Sequence, residues 1–260
     1  MSQATDPPDL VRAFYRIAKR PHDPGTREFL SRCQSHTIRV DGRFYKYYQR
    51  GSGPTVLHVH GVLGNLGSMV GIAETLLDQH YRVVLFDAPA HGEALGTSTD
   101  PVEVRAMIRG LYERLGDLHA VISHSLGGMW ALSAWHPETR ARALVSISTP
   151  SGKRFLVERF AEFNNLDSGQ VDGLVRAIEA RFGEGVWSEF SSLEAARRID
   201  VPGLIIHGSG DDYVPPAHAR ELHTAWRRSR LVLVDGAGHF DITNSPQVRG
   251  SILAYLRDAA

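Results

Sequence analysis

From Thr55 onward the chain alternates short apolar runs with segments of helix length, and this rhythm constrains its fold more than any other feature. The runs fall at 55–59, 82–86, 120–123, 143–147, 203–206 and 231–234. Each is rich in Val, Ile and Leu and ends in Gly, Asp, Ser or Pro. A strand with one face in water alternates apolar and polar residues. Runs without that alternation suit strands covered on both faces, as in a parallel sheet. Helix-length segments lie at 68–79, 101–115, 126–135, 217–227 and 246–256. Strand, helix, strand, repeated, predicts an α/β fold: a mostly parallel, doubly wound sheet with helices on both faces.

Two intervals depart from the rhythm. Near the N-terminus, Leu10, Phe14 and Ile17 recur at helical spacing before a break from Pro21 to Gly25, which predicts a helix plus a loop. Residues 37–40 and 44–48 then read as two strands around the turn residues Asp41 and Gly42. From Ser151 to Ile199 no strand is expected. Phe155, Phe160 and Phe163, then Leu174, Ile178 and Phe182, recur at near-helical spacing, and Trp187 and Phe190 follow. The expected organisation is a core of residues 1–150 and 200–260, including the N-terminal helical segment, with a helical cap at 151–199. Most of the cap aromatics are expected to pack it onto the sheet, and one or two to face a substrate across an apolar pocket.

Composition narrows the function classes. Hydrophobic residues make up 42% of the 260 and charged residues 22%, which argues for a folded domain and against a disordered chain. Lys plus Arg equals Asp plus Glu at 29 each, and no long basic run occurs, so neither nucleic acid nor an acidic membrane is the expected partner. A small, largely uncharged molecule is. Cys33 is the single cysteine, which excludes an intrachain disulfide and a multi-cysteine metal site. No apolar stretch reaches the roughly 20 residues of a membrane span. Residues 1–10 lack the basic-then-apolar order of a secretory leader, so a cytoplasmic location is expected. No P-loop and no G-x-G-x-x-G follows a strand, and no metal constellation emerges, so no cofactor is expected.

The stretch that carries chemistry is Val121-Ile122-Ser123-His124-Ser125-Leu126-Gly127-Gly128. A strand runs into a helix with Ser125 at the junction. A sharp turn there lifts the hydroxyl above the carboxyl edge of the sheet, where open α/β sheets bind ligands. The residues two before and two after the serine must be small, because the turn brings them together; they are Ser123 and Gly127. The pattern is the G-x-S-x-G nucleophile elbow, with Ser123 in place of the first glycine. Other motifs sit at strand ends in a fixed order. They are His60-Gly61-Val62-Leu63-Gly64, then Asp87-Ala88-Pro89-Ala90-His91-Gly92, then Gly208-Ser209-Gly210-Asp211 with Val214-Pro215, and finally Gly238-His239.

Taken together these motifs resemble the α/β-hydrolase superfamily, from about Tyr45 to the C-terminus. The resemblance implies an oxyanion loop at His60–Gly64 and a turn after the next strand at Asp87–Gly92, with Ala90 where a glycine is common. It implies an acid loop and a base loop in the order Ser, Asp, His. A serine hydroxyl is a weak nucleophile and needs a neighbouring base, and a carboxylate on the far ring nitrogen fixes that base's tautomer. The expected nucleophile is Ser125, the acid Asp211 and the base His239. Asp211 is preferred to Asp212 because it lies three residues after Gly208 and four before Pro215, as the family pattern requires. His124 adjoins Ser125, but neighbours at a tight turn project differently. His58 and His60 share a strand face without completing a metal-binding pattern. The oxyanion donors implied by the resemblance are the backbone N–H groups of Val62 and Leu126, with His60 bracing the loop and Gly61, Gly127 and Gly128 giving room. A serine nucleophile disfavours the superfamily's dehalogenases and epoxide hydrolases.

The implied activity is hydrolysis of a small, uncharged carboxylic ester through an acyl-enzyme. Thioester, lactone and carbon–carbon hydrolysis would use the same residues. A ligand receptor on the same fold without catalysis is the competing class.

Overall fold

Each apolar run of the sequence becomes a strand of a single sheet. The structure, a computed structural model, describes residues 7–152 and 154–258. Its strands are β1 (Gln34–Val40), β2 (Arg43–Arg50), β3 (Thr55–Val59), β4 (Arg82–Phe86), β5 (Leu118–His124), β6 (Ala141–Ile147), β7 (Gly203–Gly208) and β8 (Ser229–Val234). They lie in the order β1-β2-β4-β3-β5-β6-β7-β8. β1 and β2 pair antiparallel, as do β2 and β4, and every later pairing is parallel. The β1–β2 hairpin closes through Asp41 and Gly42, both at positive φ, which matches the right-handed twist of paired strands.

The helices are α1 (Pro7–Tyr15), α2 (Pro24–Ser31), α3 (Val70–Leu77), α4 (Pro101–Leu115), α5 (Leu126–Ala134), α6 (Arg154–Asn164), α7 (Ser168–Phe182), α8 (Val186–Glu189), α9 (Ser192–Arg198), α10 (Ala217–Ala225) and α11 (Pro246–Asp258). One face of the sheet, including Leu57, Val84, Val121 and Leu144, packs against α4, α5, α9 and α10. The other face, including Val56, Val83, Ile122 and Val145, packs against α2, α3 and α11. Consecutive strand residues thus enter opposite cores, which is why the runs show no polar alternation. On α4, Met107, Ile108 and Leu111 are fully buried, and each contributes roughly 1.5–3 kcal/mol by leaving water.

Two sequence expectations are corrected. The N-terminal segment holds two helices, not a helix and a loop. Asp23 accepts a hydrogen bond from the Thr26 N–H at 2.8 Å and Pro24 occupies the first turn, so Pro24-Gly25 starts a helix instead of breaking one. The segment expected as a helix over 68–79 begins as a 3-10 turn at Leu66–Met69, capped by the Asn65 side chain, and α3 itself ends at Leu77.

The 151–199 interval is helical. α6, α7 and α8 build a third core with α1, in which Leu10, Val11, Val157, Leu174, Ile178, Val186 and Phe190 are buried together with Met129 of α5. α1 is therefore packed with the insertion. Among the described residues no helix is long and apolar enough to cross a membrane.

Candidate active site

The turn between β5 and α5 places Ser125 at φ 55°, ψ −131°. This conformation is costly for a residue with a Cβ, by about 1–3 kcal/mol. Its backbone is pinned on both sides: the Ser125 N–H donates to the Ile147 carbonyl at 2.8 Å, and the Ser125 carbonyl accepts from the Gly128 N–H at 2.9 Å. The turn is crowded. A Cβ on Gly127 would press into the backbone carbonyls of Val59 and His60. Ser123, the departure from glycine, is accommodated because its hydroxyl donates to the Val145 carbonyl on β6 at 3.0 Å.

Three side chains from separate loops meet at this turn. His239 Nε2 lies 2.9 Å from Ser125 Oγ, and His239 Nδ1 lies 2.8 Å from Asp211 Oδ2. All three residues are buried. The other Asp211 oxygen accepts from the Tyr213 and Val214 N–H groups at 3.1 and 2.7 Å. Burial alone would raise the Asp211 carboxyl, but the hydrogen bonds from His207, His239 and Val214 outweigh it, so its pKa lies well below the usual carboxylate range. Asp212, the neighbouring carboxylate, is exposed. His124 turns away from Oγ: its Nε2 donates to the His239 carbonyl at 2.9 Å, and burial pushes its pKa down to about 3. A neutral His124 therefore anchors the loop that carries His239.

The loop after β3 faces Ser125 from the other side. Gly61 lies so close that a Cβ on it would sit 2.9 Å from the Ser125 Cβ. His60 Nδ1 donates to the Gly61 carbonyl at 2.8 Å, and its Nε2 accepts from the Ala88 N–H at 2.9 Å. Burial lowers its pKa to about 4, which keeps Nε2 available as that acceptor. His91, expected as a turn residue, also reaches this loop: its Nε2 is 2.9 Å from the Val62 carbonyl. Ala90 adopts φ 66°, a left-handed conformation that favours glycine and explains why one is common there. Among the described residues neither ring nitrogen of His58 has a hydrogen-bond partner, and no group of three His, Cys, Asp or Glu is placed to hold a metal.

A cavity of about 310 Å³ reaches Leu126, the residue after Ser125, and has Val62 in its wall. Phe155, Phe160 and Phe163 of the insertion line it, so more of the aromatics face the cavity than the one or two expected. Leu174, Ile178 and Phe190 instead fill the core beneath.

No local pattern of residues announces the opposite wall, which is the N-terminal segment from Ala13 to Arg20. A strap of backbone holds it there. The Tyr15 carbonyl accepts from the Thr99 N–H at 2.9 Å, the Ile17 N–H donates to the Thr97 carbonyl at 3.0 Å, and Asn65 Nδ2 donates to the Arg20 carbonyl at 3.0 Å.

The strap ends at a buried pair. His22 Nε2 donates to Asp87 Oδ2 at 2.8 Å, and the same carboxylate accepts from the Leu66 and Glu93 N–H groups. The hydrogen bond to Asp87 raises the His22 pKa against its burial. Burial would raise the Asp87 carboxyl, yet its bond from His22 and the neighbouring donors lower it overall. A raised histidine stabilises the fold below its unfolded pKa of about 6.5 and loses that contribution as pH rises through the folded value. A lowered carboxylate loses its contribution only as pH falls below its unfolded value of about 4. The charged pair is therefore worth most between these limits. His22→Ala is expected to lower the melting temperature more at about pH 6 than at about pH 8.5. Equal losses at both would show that the pair carries no charge.

The family profile described as the alpha/beta hydrolase family matches residues 56–249. The chain is 25% identical over 249 residues to the polyketide synthase ThaQ of Burkholderia thailandensis, covering 79% of this chain and 12% of that protein's length. It is 26% identical over 198 residues to the pimeloyl-[acyl-carrier protein] methyl ester esterase of Neisseria meningitidis, covering 61% of this chain and 76% of that one. Its fold is similar to that of the Pyrococcus furiosus esterase Pf2001, with a TM-score of 0.72 at 18% identity over 94% of this chain and 97% of that chain.

Proposed function

The chain belongs to the alpha/beta hydrolase family, and from that premise we propose that it is a serine hydrolase cleaving a carboxylic ester through an acyl-enzyme. The observation that carries this reading is the unbroken chain of contacts from Ser125 Oγ through His239 to Asp211, at 2.9 and 2.8 Å. With Asp211 ionised on Nδ1–H, His239 presents an unprotonated Nε2 to the serine hydroxyl. In the first step Ser125 Oγ bonds to the ester carbonyl carbon as Nε2 takes its proton. The carbonyl oxygen becomes an oxyanion, placed for the backbone N–H groups of Val62 and Leu126. Collapse breaks the bond to the alcohol oxygen, which receives the proton from His239. Water then repeats the sequence on the acyl-enzyme, releasing the acid and restoring Ser125. The start of α5 adds a favourable dipole to the charge developing at its N-terminus.

The cavity lining is mostly apolar, which suits an uncharged acyl chain. A thioester fits the same steps, with a thiol leaving in place of an alcohol. The test is a series of esters and thioesters of rising acyl length, with Ser125→Ala as control. A cavity of about 310 Å³ predicts that kcat/KM climbs with chain length while the acyl group fills it and falls once the chain outgrows it. A folded protein that hydrolyses none of the series contradicts the reading.

A further inference from the structure

The charge around the cavity is one-sided. Three of its lining residues are charged, Arg16, Arg20 and Arg159, and none of the lining residues is acidic. The chain as a whole is neutral, so this is a local concentration of positive charge. Among the described residues neither Arg16 nor Arg20 has an ion-pair partner. Arg159 has one, Glu162 at 2.7 Å, but only through one guanidinium nitrogen. Its Nε is buried and has no hydrogen-bond partner among the described residues. A buried N–H donor left open is costly unless something fills it.

The position of Arg159 says which part of a substrate it faces. Its guanidinium lies 5.7 Å from the centre of the Tyr213 ring and 5.5 Å from that of Phe163. Tyr213 in turn packs against His239, with ring centroids 4.9 Å apart. His239 is the group that returns the proton to the departing alcohol, so the side of the cavity next to it is the leaving-group side. Resting on the hydrolase reading above, we propose that Arg159 selects acyl substrates whose departing alcohol or thiol carries an anionic group, a phosphate or a carboxylate. The acyl part remains apolar and uncharged. Arginine suits this role because its planar fork matches both anions, and a phosphate or carboxylate would give the open Nε a partner.

The test uses three hexanoyl esters with the intact protein: nitrophenyl hexanoate, the ester of hydroxynitrobenzoate and the ester of a hydroxyphenyl phosphate. Rates are normalised to each ester's alkaline hydrolysis. The proposal predicts that at least one anionic ester exceeds the neutral one in kcat/KM by about tenfold, chiefly through KM. A gain with the phosphate ester alone identifies the anion as phosphate, and a gain with the carboxylate ester alone as carboxylate. Arg159→Gln lowers the anionic-to-neutral ratio toward one, and Arg159→Lys, which keeps the charge without the fork, restores only part of it. A neutral ester that matches or exceeds both anionic esters overturns the proposal without any variant having to fold. In that case turnover of the neutral ester leaves the hydrolase reading standing. If all three esters are inert the proposal fails, and reaction of Ser125 with a fluorophosphonate decides the hydrolase reading separately.

Discussion

Ser125→Ala is expected to lower kcat by about 10⁴-fold or more while the protein keeps its fold. The side chain places its hydroxyl oxygen 2.9 Å from His239 Nε2, so its loss removes the covalent step and not merely a contact. The turn itself is held by backbone hydrogen bonds to Ile147 and Gly128, which an alanine retains. Alanine also meets the same left-handed backbone that serine already tolerates at φ 55°. The check is steady-state kinetics beside circular dichroism and a melting curve. Near-wild-type turnover in the variant would remove Ser125 from the mechanism.

Asp211→Asn is expected to cost about 10⁴-fold in kcat, and Asp212→Asn very little. The asparagine oxygen can still accept from Tyr213 and Val214, since those bonds use one oxygen of the carboxylate. Its amide nitrogen would then face His239 Nδ1. A donor there forces the ring into the tautomer with its proton on Nε2, which faces Ser125 and can no longer accept from it. The fold is kept and the base is lost. Asp212 is exposed and makes no such contact, so kinetics on the two variants separate them. A larger loss at Asp212 would move the acid by one residue.

The sheet was legible in the sequence because its strands are covered on both faces. β3 and β4 match the apolar runs end to end, and α4 begins at Pro101 behind the capping Asp100 as its residues indicate. The Ser125, Asp211 and His239 positions could be picked out because each sits in a short motif at a strand end, where local spacing carries the information. What stayed hidden depends on contacts between distant segments. Asp23 and Pro24 form a helix start, but beside Gly25 they also read as a break. His91 holds the Val62 carbonyl across 29 positions of sequence, and His22 meets Asp87 across 65. No local pattern announces either. The wall formed by residues 13–20 is likewise fixed by the loop at Thr97 and Thr99, which only the fold brings near. The balanced total charge concealed the arginines at the cavity, because a sum over the chain says nothing about where opposite charges lie.

The proposed hydrolase activity requires that the Ser125 hydroxyl be an activated nucleophile. Intact-mass analysis and peptide mapping after treatment with a fluorophosphonate test it most directly, with no substrate needing to be known. A single adduct on Ser125, absent from Ser125→Ala, is the predicted result. A folded protein that takes up no label, or takes it up at another serine, would rule Ser125 out as the nucleophile.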